Sequence, residues 1–188
     1  HMLRRSTRRP LALLCASTIL TALPAACGED DDILFPGLSD EVNAGLAELR
    51  NATESFKQFD DANAAGYDVL VAHPTSGQLC FRHDQLGAMG VHYLNAALVD
   101  DVVSVTAPEV LIYEPRADGS LRLVGAEYVV PFTLHGDDQA PPILFGQEFR
   151  RNYTFGLWTL HAYAWKPNPS GTFADWNPNV SCQHEGVL

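Results

Sequence analysis

Cationic side chains are scarce in this chain. Its 188 residues hold 12 Lys and Arg against 23 Asp and Glu, a formal net charge of −11 at pH 7. Nucleic acids are gripped through clustered Lys and Arg, so no nucleic-acid partner is expected. The same acidity sets the chain against an anionic membrane surface and favours solubility. Close cysteine pairs are also missing, which argues against a zinc-ribbon type of metal site. No H-E-x-x-H string is present, and no nucleophile or oxyanion motif. There is no internal repeat, and no low-complexity tract beyond one short acidic run. The only long apolar stretch, Leu11–Ala26, is interrupted by Pro24 and is short for a membrane span.

That stretch has a different meaning. Arg4, Arg5, Arg8 and Arg9 precede it and Cys27 follows it, ahead of Gly28-Glu29-Asp30-Asp31-Asp32. A basic region, an apolar region and small residues before a cleavage point describe a secretory signal. His1 reads as a cloning scar before Met2. Residues 1–26 are therefore expected to be removed. Leu23-Pro24-Ala25-Ala26-Cys27 looks like a lipobox, with Pro24 where an aliphatic residue is usual. Lipidation of Cys27 and a tether over 27–37 follow from it. Thr7-Arg8-Arg9-Pro10-Leu11 fits the twin-arginine export route, and an ordinary Sec signal fits equally. The expected location is extracytoplasmic, with the lipid anchor as the only membrane contact. In an oxidising compartment Cys80 and Cys182 are an even pair, and a Cys80–Cys182 disulfide is expected.

The remaining residues, 38–188, suit one globular domain with a real core. Ser39 or Asp40 can cap a helix, and Val42, Leu46, Leu49, Phe56 and Phe59 form one apolar stripe over about six turns. Gly66 is positioned to end it. Beyond Gly66 the periodicity changes. Candidate strands are Val69–Ala72, Leu79–Arg82, Gly90–Leu94, Val110–Glu114, Leu121–Phe132 and Tyr153–Trp165, with a hairpin turn at Ala117-Asp118-Gly119. Residues 135–152 read as a long loop and 166–182 as a second irregular segment. The expected fold is α+β. One long N-terminal helix packs on a strongly curved, mostly antiparallel sheet or small barrel that encloses a pocket. At the level of architecture this resembles the cone-shaped NTF2-like fold, a likeness that carries no function.

Three of these strands are apolar on both faces yet each carries one residue able to ligate a metal. They are His92, Glu127 and His161. A buried carboxylate is costly unless paired, protonated or bound to a cation. Two histidines and one carboxylate are a common ligand set for zinc and non-heme iron. The leading expectation is one transition-metal ion (iron, copper or zinc) at these residues, with a small molecule as substrate or ligand. Tyr163 and Trp165 are expected to shape its pocket. Two metal-free readings stand beside it. One is a structural His–Glu network. The other makes Glu127 a general base, with His161 or His92 as the acid. His73 and His83 read as surface residues, His135 as a solvated loop residue or a fourth ligand, and His184 as part of a frayed tail. Glu109 and Glu114 read as solvated strand ends. Phe145-Gly146-Gln147 reads as a lid tip or an ordinary turn, and Trp176-Asn177-Pro178-Asn179 as a rigid loop tied down by Cys182.

Several strings act as a set: Gly87–Tyr93, Leu111–Pro115, Val124–Tyr128, Pro141–Gln147 and Leu160–Gly171. Together they resemble a family of small exported bacterial proteins without a known activity. The resemblance spans about residues 64–182 and includes His92, Glu127 and His161. It implies a shared domain and the importance of those three residues, and no reaction. The sequence therefore points to an exported lipoprotein with a buried mononuclear metal site, possible as an oxygenase or hydrolase. The competing classes are a non-catalytic binder or carrier of the envelope, and a structural lipoprotein without a cavity. Oligomeric state is left open.

Overall fold

The computed structural model describes residue 1, residue 35 and residues 37–187. The signal segment, Cys27 and the acidic tether lie outside the described residues. The domain is α+β with a mostly antiparallel sheet and few helices. Helix α1 (Asp40–Thr53) is capped by Ser39, whose hydroxyl accepts from the Val42 N–H at 3.3 Å. A 3-10 turn follows over Glu54–Lys57, and then α2 (Phe59–Ala64).

The single long helix expected from the apolar stripe is thus broken. Gln58 is extended, with φ −89° and ψ 110°. Contacts on both sides of Gln58 account for it. The Tyr113 hydroxyl donates to the Phe56 carbonyl at 2.8 Å, and Phe59 lies on Tyr93 and Tyr113 with ring centroids 4.4 and 5.5 Å away. Tertiary contacts here outweigh local helix propensity. Gly66, at φ +100°, ends α2 as expected.

The main sheet comprises β1 (Val69–Leu70), β2 (Cys80–His83), β3 (Gly87–Leu94), β4 (Val110–Pro115), β5 (Leu121–Pro131), β8 (Arg150–Asn152) and β9 (Leu157–Ala162). Its order is β1-β3-β4-β5-β9-β8, with β2 also on β3, and every pairing is antiparallel. It does not close, so the barrel expectation is corrected: β1 and β2 stop at one edge and β8 at the other. The strand expected from Tyr153 begins instead at Leu157. Residues 153–156 are a turn between β8 and β9, with Gly156 at φ +70°. Residues 135–152 are not one loop. They contain the hairpin β6 (Ile143–Leu144) and β7 (Gln147–Glu148) as well as β8. The hairpin's two-residue turn is Phe145-Gly146, both at positive φ, and the Phe145 side chain packs on Tyr128 and Phe173.

The two faces of the sheet differ. Tyr93, Tyr113 and Tyr128 lie on the helix side, with Leu46 and Leu49 of α1 in the same core cluster. Their opposite neighbours, Leu94, Val110, Glu127 and His161, stand across four strands on the other side. A bulge in β5 sharpens this division. Ile112 pairs with Gly125 and Tyr113 with Leu123, leaving Val124 as the extra residue. Leu123 therefore shares the Tyr113 face and not the Glu127 face, against simple alternation.

Glu109 and Glu114 are buried and not solvated. Glu114 holds Lys166 Nζ at 2.6 Å and the Ser181 N–H at 2.8 Å. Glu109 is 1 % exposed and accepts the Val129 N–H at 3.0 Å. Burial pushes its carboxyl up to about 7, against the pull of that N–H. A raised carboxyl favours the fold while protonated, and that contribution is lost as pH rises from about 4.5 through 7. Glu109→Gln is therefore expected to match wild type near pH 4. Near pH 8 it should exceed wild type by about 3 kcal/mol in urea unfolding, since each pKa unit is worth about 1.4 kcal/mol. Equal pH profiles for the two proteins would refute this.

Candidate metal centre

Glu127 and His161 are directly opposed across β5 and β9. His92 reaches the same spot from β3, two strands from Glu127. The carboxylate oxygens of Glu127 stand 3.7 Å from His92 Nε2 and 3.6 Å from His161 Nε2. One ligand atom from each of the three residues lies within 4.8 Å of the others. These separations are too long for hydrogen bonds. His161 Nε2, which faces Glu127, is buried without a hydrogen-bond partner, as are the two Nδ1 atoms on the far sides of the rings. The two Nε2 atoms and the Glu127 carboxylate, facing one another across such gaps, fit a cation that bonds nitrogen and oxygen at about 2.0–2.2 Å after a small contraction.

The protonation states follow from burial and neighbours. Burial, then the His161 charge, lowers His92 to about 3, so His92 is neutral and offers a lone pair. Burial lifts Glu127 above the usual carboxylate range, opposed by His161 and supported by Asp175. Burial works to lower His161, but the Glu127 and Asp175 carboxylates together raise it. The two histidines are thus shifted in opposite directions, His92 down and His161 up.

Asp175 was not singled out from the sequence. Its Oδ1 lies 3.5 Å from His161 Nδ1, and its Oδ2 accepts from Arg150 at 2.8 Å. A carboxylate behind a ligating histidine orients the ring and raises its basicity. Despite its burial, Asp175 is held below the ordinary range by His161 and Arg150. It sits in 166–182, where no periodicity assigns a face. The only local signal is one acidic residue beside Trp176 in a segment rich in Pro and Asn. Asp175→Ala is expected to weaken metal binding by about 10–100-fold, measured by competition with a chelator of known affinity. Unchanged affinity would show that Asp175 does not support the site.

The segment that carries Asp175 is fastened at many points. Asn177 exchanges backbone hydrogen bonds with Ala88 at 3.0 and 3.2 Å, beyond the last β3–β4 pair. This close approach requires Gly87, where a Cβ would lie 2.4 Å from the Asn177 carbonyl. Asn168 and Asn179 add side-chain bonds within the segment, and Cys182 joins Cys80 in a disulfide.

His92, Glu127 and His161 form one wall of a cavity of about 340 Å³. Phe81, stacked on His92 with centroids 4.7 Å apart, lines it together with Phe155 and Trp176. The aromatics expected there, Tyr163 and Trp165, are not among the lining residues. Trp165 turns to the helices, donating to Thr53 at 2.9 Å beneath Lys57. Tyr163 lies beside the His161 ring, and its hydroxyl donates to the Asp175 carbonyl at 2.9 Å. It supports the site from behind. His73, expected at the surface, lines the cavity edge-on to Phe81 and Phe155. His135 contacts the Ala140 carbonyl and Trp158 and is not part of the three-residue cluster. His83 is exposed, and His184 is half-buried near the disulfide. A second grouping, Cys80, Cys182 and Glu185, offers no metal site because its thiols are consumed in the disulfide.

A scan of family models, a search of curated proteins and a search of solved structures each find no match to this chain.

Proposed function

We propose that this chain is an exported, lipid-anchored protein that binds one transition-metal ion through His92, Glu127 and His161. Iron, copper and zinc are the candidates, and the ion works on a small molecule held in the adjoining cavity. The observation that carries this reading is the meeting of three buried donors, from three separate strands, on the wall of one cavity. Two imidazoles and one carboxylate leave coordination positions open towards that cavity. There the ion would supply Lewis acidity, or activation of water or dioxygen, in an oxygenase or hydrolase. The protein's own share would be to keep His92 neutral, to orient His161 through Asp175, and to cover the site with Phe81.

A second reading, a non-catalytic carrier of a metal or small molecule in the envelope, is favoured by the largely apolar walls around the donors. In both readings the membrane is met through a lipid on Cys27. Among the described residues no helix is long and apolar enough to cross a membrane.

The test is elemental analysis of the mature protein purified without chelators or affinity-tag metal. About one transition-metal ion per chain is expected. No metal, even after reconstitution with iron, copper, zinc and manganese, would overturn the reading. Turnover of a bound substrate would then separate enzyme from carrier.

A further inference from the structure

We propose that the cavity takes a small, uncharged molecule of the phenol class: a flat apolar body with one oxygen donor directed at His92, Glu127 and His161. This rests on the reading of those three residues as a metal centre.

Size is the first argument. About 340 Å³ lies at the small end of ligand pockets, which run from roughly 300 to 1,000 Å³, and suits one ring with modest substituents. Shape is the second. Phe81 and Phe155 stand 6.0 Å apart, and His73 meets both edge-on, so one end of the cavity is walled by rings. Flat apolar bodies pack against such rings by offset stacking or edge contact.

Charge is the third argument. Beyond the three donors and His73, the charged side chain on the lining is Arg82, which is exposed and already paired with Glu185. A carboxylate on the body of the ligand would therefore enter without a counter-charge of its own. An ammonium group would face the positive ion. The uncharged polar side chains on the lining, Gln78, Asn152, Thr154 and Thr159, supply hydrogen bonds but no counter-charge, so the oxygen donor of a neutral ligand is the group suited to the open coordination positions. A neutral body with one oxygen donor satisfies all three conditions.

Calorimetric titration of the zinc-loaded protein with p-cresol, toluene and 4-hydroxyphenylacetate tests this. The last two remove the oxygen donor and add a carboxylate to the far end, respectively. The zinc-loaded protein is expected to bind p-cresol at least tenfold more tightly than either, and the chelator-treated protein to lose the preference over toluene. Val71→Trp and Leu157→Trp each fill the cavity from half-buried lining positions whose side chains are not among the three donors. Each is expected to abolish p-cresol binding while keeping one zinc per chain. One zinc per chain without a preference for p-cresol would overturn the ligand class and leave the metal centre standing. Undiminished p-cresol binding in both tryptophan variants would overturn the assignment to this cavity. Selective p-cresol binding without any zinc uptake would overturn the metal centre instead.

Discussion

His92→Ala, Glu127→Ala and His161→Ala are each expected to lower metal affinity by more than about a hundredfold. The bound of that figure comes from outer-sphere partners, whose loss alone costs about 10–100-fold. Loss of a direct donor from a three-donor set should exceed it. The most telling substitution is Glu127→Gln, which keeps the shape and removes the anion. Glu127 is 9 % exposed, and its contacts to the two imidazoles, at 3.6 and 3.7 Å, are beyond hydrogen-bond reach. The carboxylate therefore bears much of the cost of burial with little direct repayment from its partners. Glu127→Gln is expected to lose the metal yet keep or gain stability in urea unfolding of the chelated protein. A variant that binds metal as wild type would remove Glu127 from the ligand set. One that unfolds at markedly lower urea would make the cluster structural.

Opening the Cys80–Cys182 bond is the second large effect. The bond spans 102 residues, and closing a loop of about 100 residues restricts the unfolded chain by about 4.7 kcal/mol at 25 °C in the chain-entropy model. Reduction, or Cys80→Ala with Cys182→Ala, is expected to cost about 3–5 kcal/mol, a large share of a domain's usual margin of about 5–15 kcal/mol. The loss should be felt near the metal centre. Cys182 anchors the segment that brings Asp175 behind His161 and Trp176 to the cavity. Its remaining ties, among them Glu114 to Lys166 and to the Ser181 N–H, Asn177 to Ala88, and Arg150 to Asp175, are non-covalent. Urea unfolding of the oxidised and reduced proteins measures the difference, and a shift below about 1 kcal/mol would show that the loop-closure argument does not apply.

His92, Glu127 and His161 were legible because each interrupts a strand that is apolar on both faces, where a polar residue demands an explanation. The positions of β1 to β5 and of β9 were legible to within a few residues from short apolar runs between turn residues. What was not legible depends on partners far away in the chain. The break at Gln58 follows from Tyr113 and Tyr93, and no local feature of residues 54–59 announces it. Glu109 and Glu114 look like solvated strand ends until Val129, Lys166 and Ser181 arrive to satisfy them. The β5 bulge moves Leu123 to the other face, an event that strict alternation cannot register. Asp175, Phe155 and Trp176 lie in turns and irregular chain, where no period says which way a side chain points.

The unlike faces of the sheet have a consequence for how such a protein can change. Cohesion with the helices rests on the tyrosine side, through Tyr93 and Tyr113. In the proposed reading, discrimination among small molecules would rest on the opposite side, where Val71, Leu94 and Leu157 line the cavity. The side chains that would meet a ligand are thus different from those that meet the helices. Selectivity could therefore be retuned at the cavity wall by substitutions that touch none of the contacts holding the helices.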